Sequence, residues 1–98
     1  MAEVELTLSQ YRVLAVLDEG REAASKLAEK LAVSRPSVTG VVDGLVIKGL
    51  VRRNHGDHDR RRIDVDLTDS GRQTLLAADA AFERRRERVN ELLSELRP

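Results

Sequence analysis

Ninety-eight residues are one domain's worth of chain, and with 41% apolar residues but only Tyr11 and Phe82 as aromatics, the core has to be aliphatic. The absence of cysteine excludes a disulfide framework, a thiolate nucleophile, a Cys-ligated zinc and a thiol redox sensor. Seventeen basic residues balance 17 acidic ones, and this zero net charge argues mildly against a nucleic-acid partner until the distribution is considered. Arg52, Arg53, Arg60, Arg61 and Arg62 crowd one stretch, and Arg84, Arg85, Arg86 and Arg88 crowd another. No apolar run approaches the ~18 residues of a membrane span. Met1 to Leu8 carries two glutamates and no basic-plus-apolar leader pattern, so a soluble cytoplasmic protein is expected. A domain this small is marginal alone, which favours a partner chain.

In chain order, Thr7-Leu8-Ser9-Gln10 opens the first predicted helix with a capping box, Thr and Gln each satisfying a backbone N–H. Tyr11, Leu14, Ala15 and Leu17 follow at helical spacing, and Gly20 ends the segment. A second helix is predicted from Ala24 to Leu31, with Leu27, Ala28 and Leu31 on one face. Ala32-Val33 makes a short turn, Ser34 caps a third helix with Pro36 in its first turn, and that helix stops at Gly49. Two short helices joined this closely form a helix-turn-helix pattern. Leu50 to Arg53 reads as a strand, Asn54 to Arg60 as a polar loop, and Ile63 to Leu67 as a half-buried strand. Thr68 then caps a last helix that runs to about Leu96. On it Leu75, Phe82, Val89 and Leu96 recur every seven residues, with Ala78 and Leu92 between them and Arg85 as an interruption.

The expected fold class is therefore mainly α with a small β-hairpin: a winged helix-turn-helix, residues 1–68, followed by a long C-terminal helix, residues 69–98. Ser34 to Lys48 is the expected recognition helix and His55 to Arg62 the expected wing. A helical wheel turns Val38, Val41, Val42 and Leu45 inward and Pro36, Thr39, Gly40 and Asp43 outward, with Ser37 and Gly44 on one flank and Arg35 at the boundary. Small hydroxyls at a helix N-terminus suit phosphate, and Arg35 can reach a guanine edge. Gly40 and Gly44 each cost about 1 kcal/mol of helix propensity. They stand either for close approach to DNA or for chance tolerance. The arginines of the hairpin fit a narrow minor groove, or a solvated charged loop.

These elements carry a specific resemblance. Asp59-Arg60-Arg61 followed by Leu67-Thr68 and Gly71 resembles the wing signature of the MarR family of bacterial transcriptional regulators. Leu6 to Tyr11, Leu27-Ala28, Val33-Ser34-Arg35, Val38-Thr39, Val42-Asp43, Leu45 and Lys48-Gly49-Leu50-Val51 resemble its helix-turn-helix, so the likeness covers about residues 6 to 95. The resemblance implies a sequence-specific DNA-binding transcriptional regulator, a repressor, acting as a homodimer on a pseudo-palindromic operator. The implied DNA-binding residues are Ser34, Arg35, Pro36, Ser37, Thr39, Gly40, Arg53, Arg60 and Arg61. Arg61 would be the minor-groove arginine and Asp59 the carboxylate that orients it. Leu75, Phe82, Val89, Leu92 and Leu96 are the expected dimerisation residues. In the family a small ligand often binds between the dimerisation and DNA-binding parts, so a small-molecule effector is among the implied partners.

The sequence departs from the family where basic residues often stand at the positions of Gly40 and Gly44. The alternative is a winged-helix module that binds protein in place of DNA, which zero net charge favours. His55, Asp57, His58 and Asp59 are metal-ligand types, but a hairpin tip converges them poorly, and they read as a polar wing tip. No metal, cofactor or catalytic constellation is expected, and the chain does not read as an enzyme. The Arg- and Glu-rich stretch Asp79 to Glu91 reads as a solvated helix face with ion pairs, or as a salt-bridge zone between two chains.

Overall fold

The computed structural model describes residues 5–56 and 61–96, in the order α1 (Leu8–Leu17), β1 (Glu22–Ala23), α2 (Ala24–Leu31), α3 (Arg35–Ile47), β2 (Val51–His55), β3 (Ile63–Leu67) and α4 (Asp69–Glu95). The four helices fall where the sequence places them. At the start of α1 the Thr7 hydroxyl accepts from the Gln10 N–H and the Gln10 side chain accepts from the Thr7 N–H, each at 3.1 Å. Thr68 caps α4 with its hydroxyl alone, which accepts from the Gly71 N–H at 3.0 Å.

The sheet is larger than expected. It has three antiparallel strands in the order β1-β3-β2, with Ala23 opposite Asp64 and a regular ladder from Val51↔Leu67 to His55↔Ile63. β1 is two residues long, too short to leave a periodic signal. β2 starts at Val51 and runs on to His55, so Asn54 and His55, read as loop, belong to the ladder. Because β3 is the central strand, its alternation is altered. Val65 and Leu67 are buried as expected, Ile63 is exposed, and Asp64 is buried to 8% exposure with its carboxylate accepting from Arg62 Nε at 2.7 Å.

β1 is tied down by Glu22, which accepts from Lys30 Nζ at 2.8 Å. That hydrogen bond is the main reason the Glu22 pKa is lowered, and the same contact raises that of Lys30. A lowered acid contributes stability above its unfolded pKa and loses it as pH falls through its folded value; the raised amine contributes below its unfolded pKa and loses it as pH rises through its folded value. The pair therefore supports the sheet edge across the neutral range.

One aliphatic core joins all the helices: Leu14 and Leu17 of α1, Leu27 of α2, Val42 and Leu45 of α3, Leu50, Val65 of β3 and Leu75 of α4 are essentially sealed from solvent. α4 starts at Asp69; its Gly71 and Leu75 are buried, Leu75 within this same core. Beyond it the Tyr11 hydroxyl donates to Asp79 at 2.5 Å, which raises the tyrosine pKa, and the Tyr11 and Phe82 rings meet edge to face at 5.1 Å. The rest of α4 projects outward, giving the molecule extents of 61 × 32 × 20 Å.

The turn between α2 and α3 passes through Ala32 at φ 56°, ψ 44°, the left-handed region that side chains disfavour. Glycine adopts this conformation without penalty, but loses more entropy on folding. The Ala32→Gly variant should therefore be more stable by about 0.5 kcal/mol in urea denaturation. An equal or lower midpoint would contradict strain at this turn.

Candidate nucleic-acid interface

α3 is built as a two-faced element. Val38, Val42 and Leu45 are buried and Val41 is partly buried, while Arg35, Pro36, Ser37, Thr39, Gly40 and Asp43 are exposed, as the helical wheel places them. Ser34 caps the helix: its Oγ accepts from the Ser37 N–H at 3.2 Å and donates to Ser37 Oγ at 2.9 Å. Pro36 stands in the first turn, where a backbone N–H has no helical acceptor. The Thr39 hydroxyl donates to the Arg35 carbonyl at 3.0 Å. Three of the hydroxyls read as phosphate or base ligands are thus engaged within α3 and its cap, with exposed surfaces around them.

The two glycines of this helix have different explanations. A Cβ on Gly44 would come within 3.1 Å of Gln10 Nε2, so this position lets α1 and α3 approach. A Cβ on Gly40 would meet nothing within 4 Å. Packing among the described residues therefore accounts for Gly44 and gives no reason for Gly40.

The C-terminal end of α3 is held by its neighbours. Lys48 Nζ donates to Gln10 Oε1 at 2.9 Å and to the Glu5 carbonyl. Gly49 at φ 75° turns the chain in a conformation that stops the helix, so that Leu50 returns to the core. The Thr68 hydroxyl donates to the Gly49 carbonyl at 2.7 Å, and the Thr68 N–H donates to the Leu50 carbonyl at 3.1 Å. The start of α4 is thus fastened to the end of α3.

The hairpin and α3 meet on the exposed side through Arg53. Its Nη2 donates to Asp43 Oδ1 at 2.5 Å and lies 3.4 Å from the Thr39 carbonyl oxygen. Sequence reasoning named Arg53 and Asp43 separately and missed their pairing. Ten residues apart and on different elements, they have no spacing rule that joins them. Arg61 is exposed where the chain enters β3, and Gly56 N–H donates to the Arg62 carbonyl at 2.8 Å, closing the described part of the hairpin. Asp59 and Arg60 lie outside the described residues, as do Asp57 and His58 of the metal-type cluster. Among the described residues no group of three ligand-type side chains converges.

Of the five residues expected to mediate dimerisation, Phe82, Val89, Leu92 and Leu96 are exposed on α4, together with Leu93. Leu75, at 2% exposure, lies in the domain's own core and is not part of that open seam. Arg86 approaches Glu83 at 3.8 Å, an ion pair along the solvated face of the same helix. Where α4 passes the start of α1, Leu6, Leu8, Tyr11, Ala78 and Phe82 line an open cleft of about 610 Å³ rimmed by Arg84 and Arg85. No helix among the described residues is long and apolar enough to cross a membrane.

Comparison with known proteins adds a family to this geometry. The family model described as "MarR family" matches residues 6–63. The HTH-type transcriptional repressor MdtR of Bacillus subtilis is 40% identical over 72 residues, 72% of this chain and 46% of the relative. The HTH-type transcriptional regulator YfiV of the same organism is 31% identical over 93 residues, 94% of this chain and 58% of the relative. The crystal structure of the transcriptional regulator BldR from Sulfolobus solfataricus superposes with a TM-score of 0.79 at 37% identity, over 91% of this chain and 62% of that one. The chain spans about half the length of the curated relatives it matches, from 44% to 63%.

Proposed function

The chain belongs to the MarR family, and from that premise we propose that it is a DNA-binding transcriptional regulator, a repressor, that acts as a homodimer on a pseudo-palindromic operator. The observation that carries this reading is the Arg53–Asp43 contact, which puts the exposed face of α3 and the arginine-bearing hairpin on one side of the domain. In this reading α3 enters a major groove. Arg35, Ser37, Thr39 and Gly40 face base edges, and the Ser34 and Pro36 end of the helix faces the backbone. Arg53 meets phosphate, and Arg60 and Arg61 reach the adjoining minor groove, with Asp59 orienting Arg61. Binding and release of DNA require no covalent chemistry, which agrees with relatives that are regulators and not enzymes.

Selection of bound sites from random duplex DNA tests the proposal. The expected product is a pair of inverted half-sites with centres about 34 Å apart, one helical turn. No enrichment over the input pool would remove the DNA reading and favour a protein-binding winged helix, which the zero net charge suits.

Gly40 gives a second, sharper test. Alanine there should raise helix stability by about 1 kcal/mol, because nothing among the described residues lies within 4 Å of the added methyl. The same methyl would stand between the helix backbone and the groove floor, so affinity for the selected site should fall about tenfold while the melting temperature rises. A rise in both stability and affinity would mean that Gly40 is not a point of close approach.

The division of labour proposed for the chain is a DNA-binding part, 1–68, and a dimerising helix, 69–98. Phe82, Val89, Leu92 and Leu96 expose an apolar seam beyond the domain core, which a second copy would cover. Sedimentation should show a dimer at micromolar concentrations; a monomer at all attainable concentrations would reject the pairing. A small-molecule effector would sit in the cleft beside Tyr11 and Phe82.

A further inference from the structure

We propose that Asp43 is a positioning residue for DNA recognition: it holds Arg53 across the recognition helix as an aimed phosphate contact and lowers indiscriminate attraction to DNA, so that affinity depends on sequence. This rests on the DNA-binding reading above.

Asp43 is the sole carboxylate of α3, and Arg35 the sole cation. A carboxylate on a helix face that approaches a polyanion is unfavourable by itself, since it repels the phosphates that dominate affinity. Here it is 56% exposed and pairs with Arg53, itself 34% exposed, through Nη2 at 2.5 Å. The same Nη2 lies 3.4 Å from the carbonyl oxygen of Thr39, one turn earlier on the same face. Two acceptors on α3 thus take one corner of the guanidinium. Its Nη1 and Nε groups have no protein partner among the described residues, and a planar guanidinium presents such donors in a fixed fork suited to phosphate.

The surroundings restrict Arg53 further. It lines a cleft of about 260 Å³ with Ala24, Val38, Val42 and Ile63, between α3 and the hairpin. Contact with Asp43 and the Thr39 carbonyl at the rim of this cleft gives the guanidinium a direction as well as a partner for its charge. The pair adds no net charge to the DNA-facing side. A free lysine or arginine there would attract any duplex equally. A neutralised and aimed arginine binds well only when the helix is seated and a phosphate arrives at the correct place.

The alternative is that the pair only braces the hairpin against α3. Exposed ion pairs contribute little to folding, with a median of about 0–1 kcal/mol, so the two roles separate experimentally. The full chain is compared with its Asp43→Asn, Asp43→Glu and Arg53→Lys variants on two duplexes of equal length: the site selected by the wild-type chain and a shuffled sequence. Dissociation constants are measured across a salt series, with thermal melts in parallel.

Asp43→Asn should bind the shuffled duplex about fivefold more tightly and the selected site almost unchanged, with a steeper salt dependence by about one phosphate equivalent. Discrimination then falls about fivefold while the melting temperature hardly moves. Asp43→Glu should retain the wild-type discrimination. Arg53→Lys should retain the salt slope and lose discrimination. Unchanged discrimination and salt slope in Asp43→Asn would overturn the inference, as would equal weakening on both duplexes with a lowered melting temperature, which marks a brace. Failure of the wild-type chain to bind either duplex overturns the DNA reading itself and is distinguishable from both.

Discussion

Replacing Gly71 with alanine should destabilise the domain by about 3 kcal/mol, the largest effect expected of any single methyl group in the chain. A Cβ there would stand 2.0 Å from the Leu50 carbonyl oxygen, 3.0 Å from its carbon and 3.2 Å from Leu67 Cδ2. The first obstacle is backbone, so no side-chain rotation relieves it. Leu50 cannot retreat, because its side chain is in the core and its carbonyl accepts from the Thr68 N–H at 3.1 Å. Nor can α4 shift without loosening Thr68, whose hydroxyl accepts from the Gly71 N–H at 3.0 Å and donates to the Gly49 carbonyl. Overpacking and the loss of these hydrogen bonds add in the same direction. For a domain of this size about 1 kcal/mol moves the midpoint by roughly 4–8 °C, so a thermal melt should fall by about 15 °C. A midpoint within a few degrees of wild type would show that the α3–α4 junction is softer than its contacts imply.

The second large effect concerns function and should leave folding intact. Arg61→Ala is expected to weaken binding to the selected site by about 2 kcal/mol, roughly 30-fold, and to reduce the salt slope by about one. Arg61 is exposed at the entry to β3, so its truncation should change the melting temperature little. The physical source is the enhanced negative potential of a narrow minor groove, which a guanidinium at a hairpin tip can enter. Arg61→Lys should recover part of the loss, because charge is retained without the planar fork. Equal affinity for wild type and Arg61→Ala across the salt series would remove the wing from the interface.

The parts of the fold set by local chemistry were legible without coordinates. The capping box at Thr7 and Gln10, the Ser34 cap with Pro36 behind it, and the Thr68 cap each use residues within one helical turn. The buried face of α3 follows from its 3.6-residue period. What stayed hidden depends on tertiary placement. β1 is only two residues long, and its existence makes β3 a central strand, which buries Asp64 and leaves Ile63 exposed. Leu75 fits the seven-residue pattern of the α4 seam as well as Phe82 does; only the packing of α4 against the core separates them. At the candidate site, helical periodicity chose the outward residues of α3, and the family resemblance drew attention to the wing. Neither could join Asp43 to Arg53 or distinguish Gly44, which faces Gln10, from Gly40, which faces open space.

The rooting of α4 has a mechanical consequence. Its first turns are fixed by Gly71, Leu75 and the contacts of Tyr11 with Asp79 and Phe82, while the 13 residues from Glu83 to Glu95 extend about 20 Å beyond that last fastening. A helix clamped at one end behaves as a pointer. A tilt of only about 5° at its base carries the far end through about 2 Å over that length. In a pair of such chains joined at the far ends, the distance between the two recognition helices would be set at the clamp, by the handful of atoms around Tyr11. Small changes there would be read out as a change of pitch along the double helix, one end of the molecule keeping time for the other.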